Sequence, residues 1–230
     1  MVVFTFTRCV EMANCAEPDH AARMDGIYSI QRHIYDFSRK YYLLGRDRLI
    51  AGLNIPTQGT ALEIGCGTGR NIALAAHRYP SAKLRGVDIS SEMLRTAESK
   101  LARLAASRDV QIAQADATSL DALSLFGQVQ FDRVWFSYTL SMIPDWPTAL
   151  QQAANCIAPG GSLHIVDFGQ QRSLPVWFRA MLHGWLRKFH VTPRATLLDM
   201  CERLAQRRGW RMESATPYRD YAWLITLSRP

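Results

Sequence analysis

Apolar residues return every three or four positions over residues 25–53, at Ile27, Ile30, Ile34, Phe37, Tyr41, Leu44 and Leu49, with Arg and Asp between them. That period predicts helix. The pattern then changes. Short apolar runs at 60–64, 83–88, 110–115, 131–137 and 162–167 end at turn-forming or charged residues and read as strands. Between them, 69–78, a stretch opening at Ser90-Ser91 and running to 106, and 147–156 have helical spacing, with the serines as an N-cap. Strands alternating with helices imply βαβ units and a mainly parallel sheet. After Asp167, Leu174, Trp177, Phe178, Met181, Leu182, Trp185, Leu186 and Phe189 form one helical stripe, with Arg179, His183, Arg187 and Lys188 between them. A further helix over 195–208 precedes two strands, 210–216 and 221–228, which lie too close together for a helical crossover and so pair antiparallel. The fold class is α/β: a Rossmann-like, doubly wound sheet of seven strands, mainly parallel with an antiparallel C-terminal strand, plus N-terminal helices.

Length and composition narrow this further. At 230 residues the chain fits one domain over 23–230, with 1–22 as a loose N-terminal extension. No apolar run reaches the roughly 18 residues of a membrane span. The five cysteines are scattered without a CxxC pair, which suits a reduced, cytosolic protein without a structural metal. Residues 170–211 hold nine Arg/Lys against Asp199 and Glu202, so the entire net charge of +7 sits in one region. A solvated helix face, an anionic membrane or nucleic acid would each suit that region.

Chemistry concentrates in Ala61-Leu62-Glu63-Ile64-Gly65-Cys66-Gly67-Thr68-Gly69-Arg70-Asn71. A strand, a glycine turn and a helix N-terminus in this order form the nucleoside-binding corner of an open α/β sheet. A dinucleotide fingerprint has Gly or Ala at its sixth position, beside the pyrophosphate, where this chain has Arg70. S-adenosylmethionine carries no pyrophosphate and suits the alternating glycines better. Asp88 ends the second strand, where it can accept from ribose hydroxyls. Asp116-Ala117 follows the third, where a carboxylate can accept from an adenine amino group. Ser137 and Tyr138 end the fourth. Glu63 would hold the glycine loop or the methionine ammonium.

This constellation resembles the class I S-adenosylmethionine-dependent methyltransferases over residues 60–168, including Gly160-Gly161 ahead of the fifth strand. The flanks carry a narrower resemblance: Tyr35-Asp36-x-x-Arg39-Lys40-Tyr41-Tyr42-Leu43-Leu44-Gly45-Arg46, Leu140-Ser141-Met142-Ile143-Pro144-Asp145-Trp146, and Trp185-Leu186-x-x-Phe189-His190-Val191-Thr192-Pro193-Arg194. These are similar to the methyltransferase component of bacterial betaine-lipid synthesis, which trimethylates the amine of diacylglyceryl-homoserine. The resemblance implies a cofactor-binding core over 58–168 and acceptor- or membrane-facing helices over 24–53 and 172–194. It implies S-adenosylmethionine held by Tyr42, Arg46, Glu63, Gly65, Cys66, Gly67, Asn71, Asp88, Ile89, Met93, Asp116, Ala117 and Ser137, with S-adenosylhomocysteine as product. Tyr138 and Asp167 are the candidate catalytic groups, with His164 behind them, and Tyr28, His190 and Arg194 are the candidate acceptor contacts. It further implies a lipid acceptor met peripherally at the inner face of the cytoplasmic membrane, and partnership with the aminocarboxypropyl transferase of the same pathway. No metal and no nucleic acid are expected. Phosphatidylethanolamine N-methylation and quinone C-methylation are alternatives on the same scaffold. A nucleic-acid-binding methyltransferase is the alternative of another class, but Ser137-Tyr138-Thr139-Leu140 stands where an Asn/Asp-Pro-Pro-aromatic run would mark a DNA amino-methylating enzyme. A cofactor sensor without catalysis is the remaining one.

Overall fold

The computed structural model describes residues 43–189 and 191–230. In chain order these form α1 (Arg46–Gly52), β1 (Thr60–Ile64), α2 (Arg70–Arg78), β2 (Lys83–Asp88), α3 (Ser91–Ala105), β3 (Val110–Gln114), α4 (Ala122–Phe126), β4 (Phe131–Ser137), α5 (Trp146–Asn155), β5 (Ile157–Phe168), α6 (Val176–Arg187), α7 (Leu197–Arg208), β6 (Arg211–Ala215) and β7 (Ala222–Ser228). The sheet runs β3-β2-β1-β4-β5-β7-β6. Strands β1 to β5 are parallel; β7 is antiparallel to both β5 and β6. Strand order reverses between β1 and β4, so their carboxyl ends open side by side. Ligands of open α/β sheets bind at such a point.

The central strands are buried on both faces, which explains their continuous apolar runs. One core layer packs α1, α2, α3 and α6 on the sheet through Leu49, Ile72, Leu101, Leu182 and Leu186. The other packs α5 and α7 through Leu150, Ala153, Leu197 and Leu204. Ser90 caps α3 as its sequence position predicts, its hydroxyl accepting from Met93 N at 3.3 Å.

Three elements depart from expectation. The helical period over 25–53 does not run unbroken through its described end: Gly45 takes φ 87°, left-handed, and α1 begins after it. The expected strand at 162–167 begins instead at Ile157 and runs through Pro159-Gly160-Gly161. A bulge absorbs that triplet, because Phe131 pairs with Ile157 but Arg133 with Ser162. A Cβ on Gly161 would lie 2.8 Å from Ala158 O and 3.0 Å from Asp132 O, so glycine is needed where the bulge closes. Finally, Pro217–Asp220 form a turn in which Tyr218, Arg219 and Asp220 all have positive φ, at 59°, 60° and 62°.

Candidate active site

The site starts where β1 runs out. Gly65 N and Cys66 N both donate to Val87 O, at 2.8 and 2.9 Å, folding the chain under the end of β2. Gly65, Gly67 and Gly69 take φ of 77°, 53° and 71°, conformations L side chains rarely adopt. A Cβ on Gly65 would come within 2.6 Å of Thr139 Oγ1 and 2.9 Å of Thr139 Cβ, on the loop after β4. Bare backbone is therefore the only fit between the two loops of the switch point.

Above this floor lies a cavity of about 460 Å³, within the range of small-molecule sites. Asp88 lines it with both carboxylate oxygens fixed, Oδ2 accepting from Gly67 N at 2.7 Å and Oδ1 from Ser90 N at 3.0 Å. These bonds lock the side chain's direction. Asp116 is fixed through one oxygen, Oδ1, which accepts from Thr118 N and Thr118 Oγ1 at 2.8 Å each. Ser137 Oγ is buried in the wall without a hydrogen-bond partner among the described residues. A ligand with ribose hydroxyls, an exocyclic amine and a polar amino-acid end answers all three groups.

The network beneath the floor sets its height. Glu63 is completely buried, and its Oε1 accepts from Asn71 Nδ2 at 2.7 Å. Asn71 Oδ1 accepts from Arg70 at 3.1 Å, and Arg70 pairs with Asp47 on α1 at 2.6 Å. Burial pushes the Glu63 carboxyl up to about 8, against the hydrogen bond from Asn71. Burial likewise raises the Cys66 thiol well above its ordinary value, so it is a neutral wall group.

The cover comes from the start of α1. Leu43 and Arg46 reach the cavity wall, and Arg46 Nε donates to Leu43 O at 3.2 Å. Tyr138 anchors this cover: its hydroxyl donates to Leu44 O at 2.6 Å, and its ring packs edge-on against Phe168, 4.6 Å between centroids. The side chain reaches there because its backbone is left-handed, φ 58°. Burial raises the Tyr138 phenol well above its usual value. A hydroxyl so held fixes the cover. Tyr138→Phe is expected to weaken S-adenosylmethionine binding about threefold to tenfold, the loss of one hydrogen bond of about 1 kcal/mol. Calorimetric titration measures it, and an unchanged Kd would show that the cover does not hang on this bond.

The loop after β4 forms the opposite wall and is clamped from behind. Asp167 Oδ2 accepts from Ser141 N at 3.1 Å and Oδ1 from Phe168 N at 2.8 Å. Arg194 donates to Leu140 O at 3.0 Å and to Ile143 O at 2.6 Å, and Thr192 N donates to Ser141 O at 2.9 Å. Burial pushes Asp167 up to about 6, with the two N–H donors and Arg194 opposing.

Of the residues predicted from sequence, Arg46, Gly65, Cys66, Gly67, Asn71, Asp88, Ile89, Asp116, Ala117, Ser137 and Tyr138 share the cavity wall. Glu63 sits beneath it, and Met93 packs with Met142 and Phe189 at its edge. Asp167 and Arg194 stand behind the loop rather than in the cavity. His164 is bound to Ser162 at 2.8 Å inside the sheet, and burial lowers it to about 4. Tyr28, Tyr42 and His190 lie outside the described residues. Sequence reasoning missed Thr139, which limits the floor, and Lys100, whose Nζ donates to Thr68 Oγ1 at 3.3 Å at the rim. No local pattern marks either one; both are brought in by tertiary packing.

A seven-stranded sheet of this order, with carboxylates at the ends of β2 and β3 over a side-chain-free turn, is the fold of S-adenosylmethionine-dependent methyltransferases, and residues 61–161 match the family described as "Methyltransferase domain". S-adenosylmethionine is the cofactor these features fit. Among particular proteins, the chain is 29% identical over 154 residues to a demethylmenaquinone methyltransferase of Bacillus licheniformis, covering 64% of this chain and 63% of that one. It is 32% identical over 117 residues to a trans-aconitate 2-methyltransferase of Methylobacterium radiotolerans, covering 51% and 41%. The chain thus spans less than two thirds of the length of these relatives. A solved Haemonchus contortus phosphoethanolamine N-methyltransferase 2 in complex with S-adenosyl-L-methionine superimposes with a TM-score of 0.71 at 16% identity, covering 93% of this chain and 60% of that one.

Proposed function

We propose that the protein is an S-adenosylmethionine-dependent N-methyltransferase that trimethylates the amine of diacylglyceryl-homoserine, yielding diacylglyceryl-trimethylhomoserine and S-adenosylhomocysteine. The observation that carries this reading is the asymmetry of the cavity. One side is polar, with Asp88 and Asp116, whereas the loop after β4 lines it with Met142, Ile143 and Pro144 ahead of Asp145, and Met142 packs with Phe189 just past the end of the aromatic, basic helix α6. That wall suits an acceptor with a polar amine on a large apolar body, and the flanking motifs favour the homoserine lipid among such acceptors.

When bound, the cofactor supplies a sulfonium methyl group, and transfer to a neutral amine creates little new charge, so positioning contributes most of the acceleration. Asp88 would hold the ribose hydroxyls and Asp116 the adenine amine, while Arg46, together with Tyr42, would hold the methionine carboxylate. Tyr138 and Asp167 take their part by position, one holding the cover and the other the loop that carries the apolar wall. A free amine titrates at roughly 8 to 10, so desolvation by that wall is enough to favour its neutral form. Arg194 fixes the wall from behind, through Leu140 O and Ile143 O, and Tyr28 and His190 would border the acceptor. The lipid is met at the inner face of the cytoplasmic membrane, where the aminocarboxypropyl transferase of the pathway would make it. No described helix is long and apolar enough to cross a membrane.

A second reading, C-methylation of demethylmenaquinone, is favoured by the similarity to demethylmenaquinone methyltransferases. Incubation with labelled S-adenosylmethionine and diacylglyceryl-homoserine, phosphatidylethanolamine or demethylmenaquinone separates the readings. Label in the homoserine lipid is the expected result. Label only in the quinone would replace the first reading with the second.

A further inference from the structure

The apolar stripe of α6 is divided between two surroundings. Leu182 and Leu186 are buried, and Phe178, Trp185 and Phe189 pack beside them on the sheet. Val176, Trp177 and Met181 turn outward, 72%, 69% and 58% exposed. They are half of the large apolar side chains that stand exposed among the described residues, and they share one helix. Scattered exposed apolar residues need no explanation, but a cluster on one face marks an interaction surface.

Charge identifies what that surface would meet. No acidic residue occurs between Asp167 and Asp199, while Arg172, Arg179, Arg187, Lys188 and Arg194 all fall there. The partner is therefore anionic as well as apolar. A second copy of the chain would bring two such cationic faces together in an isologous contact. A nucleic acid would satisfy the charge but leave Val176, Trp177 and Met181 uncovered. An anionic bilayer satisfies both, since helices of this composition lie with Trp at the headgroup boundary and Lys/Arg on acidic lipid.

The surface is also connected to the site. Trp177 and Phe178 are in ring contact at 5.8 Å, and Trp185 and Phe189 at 4.8 Å. Phe189 packs with Met93 and Met142, and Met142 lines the cavity. The exposed end of α6, a helix about 18 Å long, and the Trp185–Phe189 pair at its other end, where Phe189 just past the helix packs at the cavity's edge, thus belong to one apolar stripe.

We propose that α6 docks the protein on an anionic lipid bilayer, with Val176, Trp177 and Met181 at the headgroup boundary and Arg172, Arg179, Arg187 and Lys188 on acidic headgroups, so that a diacyl lipid reaches the cavity past Phe189 and Met142. This rests on reading the acceptor as a membrane lipid. The test is co-flotation of the full chain with phosphatidylcholine vesicles, with and without about 30 mol% phosphatidylglycerol. The expected result is binding at least about tenfold greater with the anionic lipid, weakening as salt rises from about 0.1 to 0.5 M. The double variant Trp177→Ser/Met181→Ser should lose most of that binding while keeping its thermal midpoint, because both side chains are exposed. Equal binding to both vesicles, undiminished binding by the double variant, or a dimer that the double variant splits would overturn the proposal. Activity keeps the two readings apart. On diacylglyceryl-homoserine in detergent micelles the variant should match the parent, and on anionic vesicles it should be slowed about tenfold. If neither protein methylates the lipid in micelles, the acceptor is wrong, and flotation alone decides the docking.

Discussion

Gly65→Ala is expected to abolish measurable S-adenosylmethionine binding while leaving a folded protein. The substitution meets two obstacles at once. The residue sits at φ 77°, where an L side chain costs about 1–2 kcal/mol. The new methyl would also press into Thr139, 2.6 Å from Oγ1 and 2.9 Å from Cβ. Because Gly65 N and Cys66 N are tied to Val87 O, the floor cannot drop to make room. The loop after β4 must move instead, and with it the wall of the cavity. Calorimetric titration with S-adenosylhomocysteine gives the readout. The double variant Gly65→Ala/Thr139→Gly removes the obstructing side chain and should recover part of the affinity. A Gly65→Ala protein that binds within about twofold of the parent would show that this turn is not the floor of the cofactor site.

The second large effect concerns the buried carboxyl under that floor. Glu63 has an ordinary value near 4.5 and is raised to about 8 in the folded chain. Between those values the folded protein holds a proton that the unfolded chain releases. Stability therefore falls as pH rises through this window, by roughly 1 kcal/mol per pH unit, and the loss is complete above 8. Below 4.5 both states are protonated and no difference remains. Glu63→Gln removes the titration and keeps a side chain of the same shape beside Asn71. The variant should match the parent near pH 5 and exceed it by several kcal/mol at pH 8.5. Asp167, raised to about 6, adds a slope of the same sign over lower pH in both proteins, so pH 6 to 8 is the diagnostic range. Urea unfolding across that range measures the difference. Two parallel stability curves would mean that Glu63 titrates in the ordinary carboxylate range.

What could be read from the chain follows from how local each cause is. Gly65, Gly67 and Gly69, Asp88 and Asp116 were legible because each sits at a strand end within a few residues of what it controls. The clamp on the far wall was not. Asp167 meets Ser141 across 26 residues and Arg194 meets Leu140 across 54, and neither spacing has a period. Asp167 therefore reads from sequence as a strand-end acid open to a ligand, whereas in the fold both of its oxygens are occupied by backbone N–H groups. Pro159-Gly160-Gly161 carries the composition of a turn, and only the register of β4 against β5 shows that a bulge accommodates it within a strand. The stripe of α6 illustrates a different limit. Its period identified the helix, but the period continues around both the buried and the exposed faces. Only packing shows where one ends and the other begins. Helix α4 was not foreseen from the apolar pattern, although Asp121 and Gly127 bracket it, the first accepting from Ser124 N at 3.1 Å and the second at φ 69°.

Asp220, the last residue of the left-handed turn, links two parts of the chain that are far apart in sequence. Its carbonyl accepts from Gln171 N, one carboxylate oxygen accepts from Arg172 N, and the other accepts from the Trp223 indole at the start of β7. The loop leading into α6 is therefore mounted on the next-to-edge antiparallel strand, not on the parallel half that carries the glycine turn. During synthesis, β1 to β4 and their helices emerge and can close before residue 220 leaves the ribosome. Helix α6 takes its seat only after that. A nascent chain would then acquire the glycine turn and its carboxylates first, and fix the entry to α6 last.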